Sequence, residues 1–121
     1  MEKSNLLQGL PDAGQAEQFE PLLNAQGVLI ERITSRGQCS AAQDWYQSPR
    51  AEWVMLVCGR ARLMWEDGSL LEMAAGDHVT IPANARHRVD WTDPDQDSVW
   101  LAVHLPQRGV VGASPAGDGA A

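Results

Sequence analysis

Short segments in which apolar and polar residues alternate make up most of this chain, and turn signals separate them. Residues 52–58 and 60–65 are two such segments, and the Asp67-Gly68 pair that follows them is a hairpin signal. Further segments of this kind are residues 28–33, 69–73, 78–81, 87–91 and 98–104, with a shorter one at 45–47. Short strands that recur at this spacing predict an all-β sandwich or barrel.

The chain has 121 residues and a net charge of −7, which predicts one small acidic domain. Nucleic acid and anionic membranes are bound through basic patches, so we expect neither as a partner. No apolar run approaches the roughly 20 residues of a membrane span. Residues 1–10 lack the features of a signal peptide, and we therefore expect a cytoplasmic protein. Cys39 and Cys58 are too few and too far apart for a disulfide framework, which predicts two reduced thiols.

The two ends of the chain differ in composition from its middle. Residues 1–27 form a predicted N-terminal arm, in which 16–23 place Phe19, Leu22 and Leu23 on one face of a short helix. Residues 28–105 hold the strand pattern and form the predicted barrel. Residues 106–121 are mostly Gly, Ala, Pro and Ser, and they predict a flexible tail.

Residues 76–91 combine a turn, a short strand, a rigid loop and one histidine. Pro82 cannot donate to a sheet ladder, so the chain leaves the sheet there and returns at His87. The strand period of 2 places His87, Val89 and Trp91 on one face, which the apolar residues mark as the interior. An imidazole is therefore predicted inside the barrel.

This spacing resembles the second signature of the cupin family, in which Gly, Pro, Gly, His and Asn follow at fixed offsets. Gly76, Pro82 and His87 fit, while Asn84 and Trp91 replace the second Gly and the Asn. The resemblance covers residues 28 to 105 and implies a small RmlC-like jelly-roll barrel, also called a double-stranded β-helix.

The first cupin signature is present only in its second half. It reads His, one residue, His, three or four residues, Glu, six residues, Gly, and Glu52 and Gly59 fit its end. The two His positions fall on Tyr46 and Ser48, or on Trp45 and Gln47, depending on the spacing.

The resemblance implies a metal held by three imidazoles and one carboxylate, of which this chain supplies His87 and Glu52. Because the first motif is degenerate, we expect no cofactor and predict instead that Glu52 and His87 form a hydrogen-bonded pair in a polar cavity. Tyr46, Ser48 and Trp91 are the other predicted cavity residues. The alternative is a divalent ion (Zn, Ni, Fe or Mn), with His78 or His104 as a further ligand.

Trp53, Met55 and Val57 alternate with the predicted inward face of residues 52–58. An apolar stripe on the outside of a barrel indicates a partner surface, and the resemblance implies a homodimer.

Three functions remain open. The first is a non-catalytic barrel that binds a small molecule as a sensor or accessory domain, which the missing histidines favour. The second is a metal-dependent enzyme of the dioxygenase or isomerase type that uses Glu52 and His87. The third is an interaction protein that acts through its apolar outer face.

Overall fold

A computed structural model describes residues 1–107 and contains eight strands there. The strands are β1 (Gln18–Ala25), β2 (Val28–Ser35), β3 (Glu52–Cys58), β4 (Arg60–Trp65), β5 (Leu70–Ala74), β6 (His78–Ile81), β7 (His87–Thr92) and β8 (Ser98–His104). The predicted all-β fold is confirmed, and β3, β4, β6 and β8 have the bounds that the alternation predicts.

The strands form two antiparallel sheets that pack face to face. One has the order β1-β2-β8-β3-β6 and the other the order β5-β4-β7. Alternate residues of both sheets point into the space between them, as expected for strands with one buried face. The core that results contains Val54, Leu56, Ala61, Leu63, Met73, Ile81, Trp100 and Ala102. Two such sheets are the jelly-roll arrangement predicted above.

The helix predicted over residues 16–23 is wrong, because residues 18–23 belong to β1 and the two residues before them are not helical. Gln26 and Gly27 have φ values of 53° and 81°, and this two-residue turn pairs Ala25 with Val28. Such turns match the twist of a hairpin. Since β1 is the edge of its sheet, Pro21 is tolerated within it. Hairpin pairing thus prevails over the helical spacing of Phe19, Leu22 and Leu23.

Arg32 in β2 fixes the segment that precedes β1 to the outer face of the five-stranded sheet. Its guanidinium donates two hydrogen bonds to Glu20, of 2.8 and 3.0 Å, and three to the carbonyl oxygens of Leu6, Gln8 and Gly9, of 2.8 to 3.2 Å. All five of its N–H groups therefore have partners, which allows the charge to be buried.

Pro106 and Gln107 follow β8 without regular structure, and the rest of the predicted tail, residues 108–121, lies outside the described residues. Within residues 1–107, no helix is long and apolar enough to cross a membrane.

Gly59 joins β3 to β4 at a point where backbone conformation and space both require glycine. Its φ is 93°, and a Cβ there would lie 2.5 Å from Ser98 Cα and 2.8 Å from the Asp97 carbonyl oxygen. Gly68 has a similar φ of 89°, but a Cβ there would meet nothing within 4 Å. An alanine at Gly68 would therefore be strained only by its backbone conformation, whereas an alanine at Gly59 would also overlap with neighbouring atoms.

We expect Gly68→Ala to lower the free energy of unfolding by about 1 kcal/mol, the usual cost of a left-handed alanine. Gly59→Ala should cost clearly more, because Ser98 and Asp97 contribute backbone atoms that must shift. Chemical denaturation of both variants measures the difference. Equal losses would show that the close approach of Gly59 to β8 does not limit the fold.

Candidate functional site

A cavity of about 280 Å³ lies between the two sheets. Its walls are apolar and include Ile33, Val54, Leu63, Ile81, Val89 and Trp100. Polar groups also line it, namely Glu31, Tyr46, Glu52, His87 and His104, and Glu17, Phe19, Ser40 and Arg88 complete the lining. Apolar walls with a few polar groups are typical of small-molecule pockets.

The loop between β6 and β7 aims His87 into this cavity. Asn84 has a φ of 67°, a left-handed conformation that Asn tolerates well. At the position of the second glycine of the cupin signature, it thus has a backbone conformation that glycine also adopts readily. The N–H of Asn84 donates to the Ser48 carbonyl oxygen at 2.6 Å, and Tyr46 and His87 exchange two backbone hydrogen bonds of 2.7 and 3.1 Å. The Tyr46 ring meets the His87 ring edge to face, with centroids 5.2 Å apart.

Glu52 lies between two imidazoles. Its Oε2 is 3.6 Å from His104 Nδ1, and its Oε1 is 3.9 Å from His87 Nε2. The Glu52 side chain is 12% exposed, and in the described part of the chain no hydrogen bond reaches it within 3.5 Å. Glu52 and His87 thus come together as predicted, but at 3.9 Å they are not a hydrogen-bonded pair.

The other nitrogen of each imidazole is engaged outside this group. His104 Nε2 lies 2.8 Å from Glu31 Oε1, and His87 Nδ1 lies 3.1 Å from the Ala85 carbonyl oxygen. The four side chains therefore form a row, Glu31–His104–Glu52–His87, in which acids and imidazoles alternate.

The cavity changes the acidity of the groups around it. Burial raises the pKa of Glu52, while the nearby His104 and His87 oppose that rise. Burial also raises the pKa of Tyr46, and the charge of Glu52 adds to this rise. At the rim, burial raises the pKa of Glu17 against a hydrogen bond from Ser35. Burial is thus the largest cause of the shift for all three groups.

The structure brings Tyr46, Glu52 and His87 to the cavity, whereas Ser48 and Trp91 lie elsewhere. Ser48 accepts from the Arg50 backbone N–H through its hydroxyl, beside the loop that carries Asn84. Trp91 lies in a groove on the outer side of β4, 6.0 Å from the Arg62 guanidinium. The placement of Trp91 in the cavity is therefore corrected. Its cause is an irregularity between β4 and β7, where Arg62 pairs with Trp91 but Leu63 pairs with Val89.

The stripe on β3 faces outward, as the alternation predicts. Trp53, Met55 and Val57 are half-buried, and the Trp53 ring lies against the His78 ring at a tilt of 38°, with centroids 5.4 Å apart. His78 is thereby on the outer face, so of the two spare histidines only His104 reaches the cavity.

Glu31 was missed by sequence reasoning, although one signal was available. By the strand period of 2, Glu31 lies on the same face as Leu29 and Ile33. An acid on an otherwise apolar face is the signal that indicates a cavity residue. Its partnership with His104 depends on the pairing of β2 with β8, which are far apart in the chain.

The donors do not fit the metal that the fold family implies. Among residues 1–107, no group of three His, Cys, Asp or Glu is placed to hold a metal ion. The geometric reason is that His87 and His104 face different oxygens of Glu52, and His104 Nε2 is turned toward Glu31. Nitrogen ligands need to approach one point within about 2.1 Å.

Two antiparallel sheets that enclose a small cavity make this protein a jelly-roll barrel. A family pattern described as the cupin domain matches residues 37–104. A solved structure from Ralstonia eutropha JMP134, provisionally named a mannose-6-phosphate isomerase, is 44% identical, with a TM-score of 0.83 over 88% of this chain and 99% of that chain. The chain belongs to the cupin family.

More distant structures share the fold. A cupin superfamily protein from Desulfitobacterium hafniense DCB-2 has a TM-score of 0.71 at 13% identity, over 88% of this chain and 93% of that chain. An RmlC-like cupin from Methanocaldococcus jannaschii has a TM-score of 0.62 at 21% identity, over 76% of this chain and 82% of that chain. Among curated proteins, none matches the chain.

Replacing Glu52 by Gln tests the cost of burying its charge. Because the pKa of Glu52 is raised in the fold, the native state binds the proton of the Glu52 carboxyl group more tightly than the unfolded state does. Its contribution to stability is therefore lost as pH rises from about the ordinary value of 4.5 through the folded pKa. Glu52→Gln should melt at a higher temperature than the parent at about pH 8, and this gain should vanish at about pH 4.

Glu72→Gln is the matched control, since that carboxylate is exposed and pairs only with Arg62 at the surface. Thermal melts of the three proteins across the pH range make the comparison. A melting temperature for Glu52→Gln below that of the parent at about pH 8 would show that the ionised Glu52 stabilises the fold through its imidazole neighbours.

Proposed function

We propose that this protein binds a small polar molecule in the cavity between its sheets, and that Glu52 is the central anchor of that molecule. The observation that carries the proposal is the state of Glu52, which is mostly buried and has no hydrogen bond from the described residues. Buried polar groups are normally paired, because desolvation without a partner is costly. A ligand that donates to Glu52 would remove that cost.

The rest of the lining supports this proposal. His87 and His104 flank the anchor, Tyr46 borders it, and apolar side chains surround all four. The volume of about 280 Å³ lies just below the range for ligand pockets, which is roughly 300 to 1,000 Å³. The ligand is therefore smaller than most drug-sized molecules. We propose further that binding requires no resident cofactor, since the imidazoles do not converge on one point.

An enzyme is the second candidate, and it is favoured by the 44% identity to the Ralstonia protein that is provisionally named a mannose-6-phosphate isomerase. An acid between two imidazoles is also suited to moving protons to and from a bound substrate. A metal-dependent form, with Glu52 and His87 as ligands, would show stoichiometric metal in protein purified without chelator. Interconversion of mannose 6-phosphate by the protein would favour the isomerase.

Binding is tested by thermal melts against a panel of small sugars, sugar phosphates, amines and organic acids. At least one compound should raise the melting temperature, because a ligand of the folded state stabilises by about 2.7 kcal/mol at 100 times its dissociation constant. Tyr46→Ala should reduce this rise, since Tyr46 borders the cavity and contacts His87.

Leu70→Ala is the control for that experiment, because Leu70 is similarly exposed but lies outside the cavity lining. It should leave the ligand-induced rise unchanged. If no compound has an effect, or if the two variants respond alike, the cavity is not the binding site.

We also propose a homodimer formed through the outer face of β3. Trp53 pairs with Thr80 on one side and with Val103 on the other, and Met55 pairs with Leu101, so the apolar stripe continues onto β8. Contiguous apolar surface of this kind favours association. The third hypothesis, an interaction protein, would use the same face for a different partner.

Trp53→Glu should convert this dimer to monomers, because it places an unpaired charge in the contact. Leu70→Glu adds the same charge to the other sheet, on an exposed side chain, and should leave the dimer intact. Sedimentation at roughly tens of micromolar, where modest contacts still assemble, measures both. A parent protein that is monomeric under these conditions would refute the dimer.

A further inference from the structure

The polar and the apolar side chains of the cavity occupy different layers between the sheets. Glu52 pairs with His104 where β3 begins and β8 ends, and His87, the first residue of β7, meets Glu52 at this same end. Further along the two strands, the inward pairs are apolar. The apolar part of the lining consists of Ile33, Val54, Leu63, Ile81, Val89 and Trp100. A molecule in the cavity thus meets polar groups at one end and hydrocarbon along the rest of its surface.

Two polar side chains line the cavity away from this end, and both already have partners. Ser40 Oγ accepts a hydrogen bond from the Val89 backbone N–H at 3.2 Å. Glu17 accepts one from the Ser35 hydroxyl. Glu52, in contrast, has no hydrogen bond from the described residues, although its side chain is only 12% exposed. The group that most needs a partner from a ligand is therefore at the polar end.

Arg88 does not supply that partner. Its Nε is buried and has no hydrogen-bond partner among the described residues. The strand period, however, directs the Arg88 side chain to the face of β7 opposite to His87 and Val89. Its Nη2 donates to Met64 Sδ at 3.3 Å, and its guanidinium covers the Trp45 ring at 5.5 Å. Arg88 thus borders the cavity from the edge of the three-stranded sheet, and an acidic ligand would have to displace these contacts to reach it.

The gaps on the two sides of Glu52 have the size that one oxygen atom bridges. Glu52 Oε1 lies 3.9 Å from His87 Nε2, and Oε2 lies 3.6 Å from His104 Nδ1, which is too long for a direct hydrogen bond. An oxygen placed beside either pair reaches both of its atoms at about 2.8 Å. A hydroxyl both donates and accepts, so it fits whether the proton between carboxyl and ring is on the ring or on the carboxyl.

The size of the cavity limits the rest of the molecule. An apolar cavity of about 150 Å³ holds a benzene molecule, so a volume of about 280 Å³ accommodates one substituted ring or a branched chain of similar size. Each further hydroxyl or charged group on that body would be desolvated against apolar walls, which is unfavourable without a compensating hydrogen bond.

We infer that the ligand of this cavity is a small uncharged alcohol or phenol, with one hydroxyl that bridges Glu52 to His87 or His104 and an apolar body against Trp100 and Leu63. The inference rests on the proposed function, because it names the chemical class of the molecule that the cavity binds. It also separates this chain from the sugar phosphate in the provisional name of its Ralstonia relative.

Compounds that differ in one group test the inference. Benzyl alcohol is compared with ethylbenzene, and 4-methylphenol with p-xylene, since each pair exchanges a hydroxyl for a methyl group of similar size. Benzylamine, benzoate and glucose supply a cation, an anion and a molecule with several hydroxyls. Affinities are measured by ligand-observed NMR titration of chelator-treated protein. In at least one pair the hydroxyl compound should bind about tenfold or more tightly than its methyl analogue, as expected for a hydrogen bond to a charged group, and tighter than the other three compounds.

Two variants of the cavity locate the two parts of the ligand. Glu52→Leu should remove the preference for the hydroxyl compound and leave the affinity for its methyl analogue at least as high. Ile33→Phe narrows the apolar part and should weaken both members of a pair by the same factor. Glu66→Leu is the control, because that acid pairs with Arg86 at the surface and lies outside the cavity lining. It should change neither value, and each variant is checked for a cooperative melt before titration.

The possible failures are distinguishable. Equal binding of a hydroxyl compound and its methyl analogue, or a preference that survives in Glu52→Leu, would overturn the inference. Benzoate, benzylamine or glucose binding as tightly as the hydroxyl compounds would overturn it as well and leave a small-molecule cavity standing, with benzoate indicating a role for Arg88. If only members of the wider panel bind, the inference fails alone. If no compound binds, the proposed function fails together with it.

Discussion

The antiparallel pairing of β3 with β8 is the constraint on which the cavity depends. Glu52 is the first residue of β3 and lies opposite His104, the last residue of β8. β8 also pairs with β2, where Glu31 follows two residues after the partner of His104 and points to the same face. Because side chains alternate along a strand, a shift of β3 by one residue would turn Glu52 to the outside. Two pairings between distant strands thus bring Glu31, His104 and Glu52 together, and His87 joins them from β7 in the other sheet.

The same register places the carboxylate of Glu52, which is unfavourable to bury, at one end of the barrel. Toward the other end, the pairs that follow Glu52 and His104 are Val54 with Ala102 and Leu56 with Trp100, all of them buried. Stability is therefore concentrated in the apolar layers, whereas the layer with Glu52 contains a carboxylate that burial penalises. An apolar core beside an incompletely paired polar layer is what separates a binding cavity from a filled barrel.

Local patterns of the sequence predict much of this fold, and non-local pairing accounts for what they miss. The alternation in β3, β4, β6 and β8 gives their bounds, and the fixed offsets from Gly76 to His87 identify the loop that aims the imidazole. The helix prediction for residues 16–23 is wrong because pairing with β2, and not the helical spacing of the segment itself, decides its structure. The prediction that Trp91 lies in the cavity is wrong because an irregular pairing of β7 with β4 turns the side chains after Val89 to the opposite face of the sheet. Glu31 and His104 meet only through the pairing of β2 with β8, which no local pattern contains.

This chain has the cupin fold but lacks part of the residue set that the cupin signatures place in the cavity. The cupin signature places an imidazole at residue 87 and an acid at residue 52, and this chain has both. Where two further imidazoles belong it has Tyr46 and Ser48, or Trp45 and Gln47 with the longer spacing, and the Tyr46 ring lies edge to face against His87. Glu52 is then left without a hydrogen bond from the described residues, with His87 Nε2 and His104 Nδ1 at 3.9 and 3.6 Å from its oxygens. A scaffold associated with metal ions thus encloses, in this chain, a cavity with a mostly buried carboxylate near its centre. Its chemistry therefore has to be deduced from Glu31, Glu52, His87 and His104 themselves, because a fold hosts many functions.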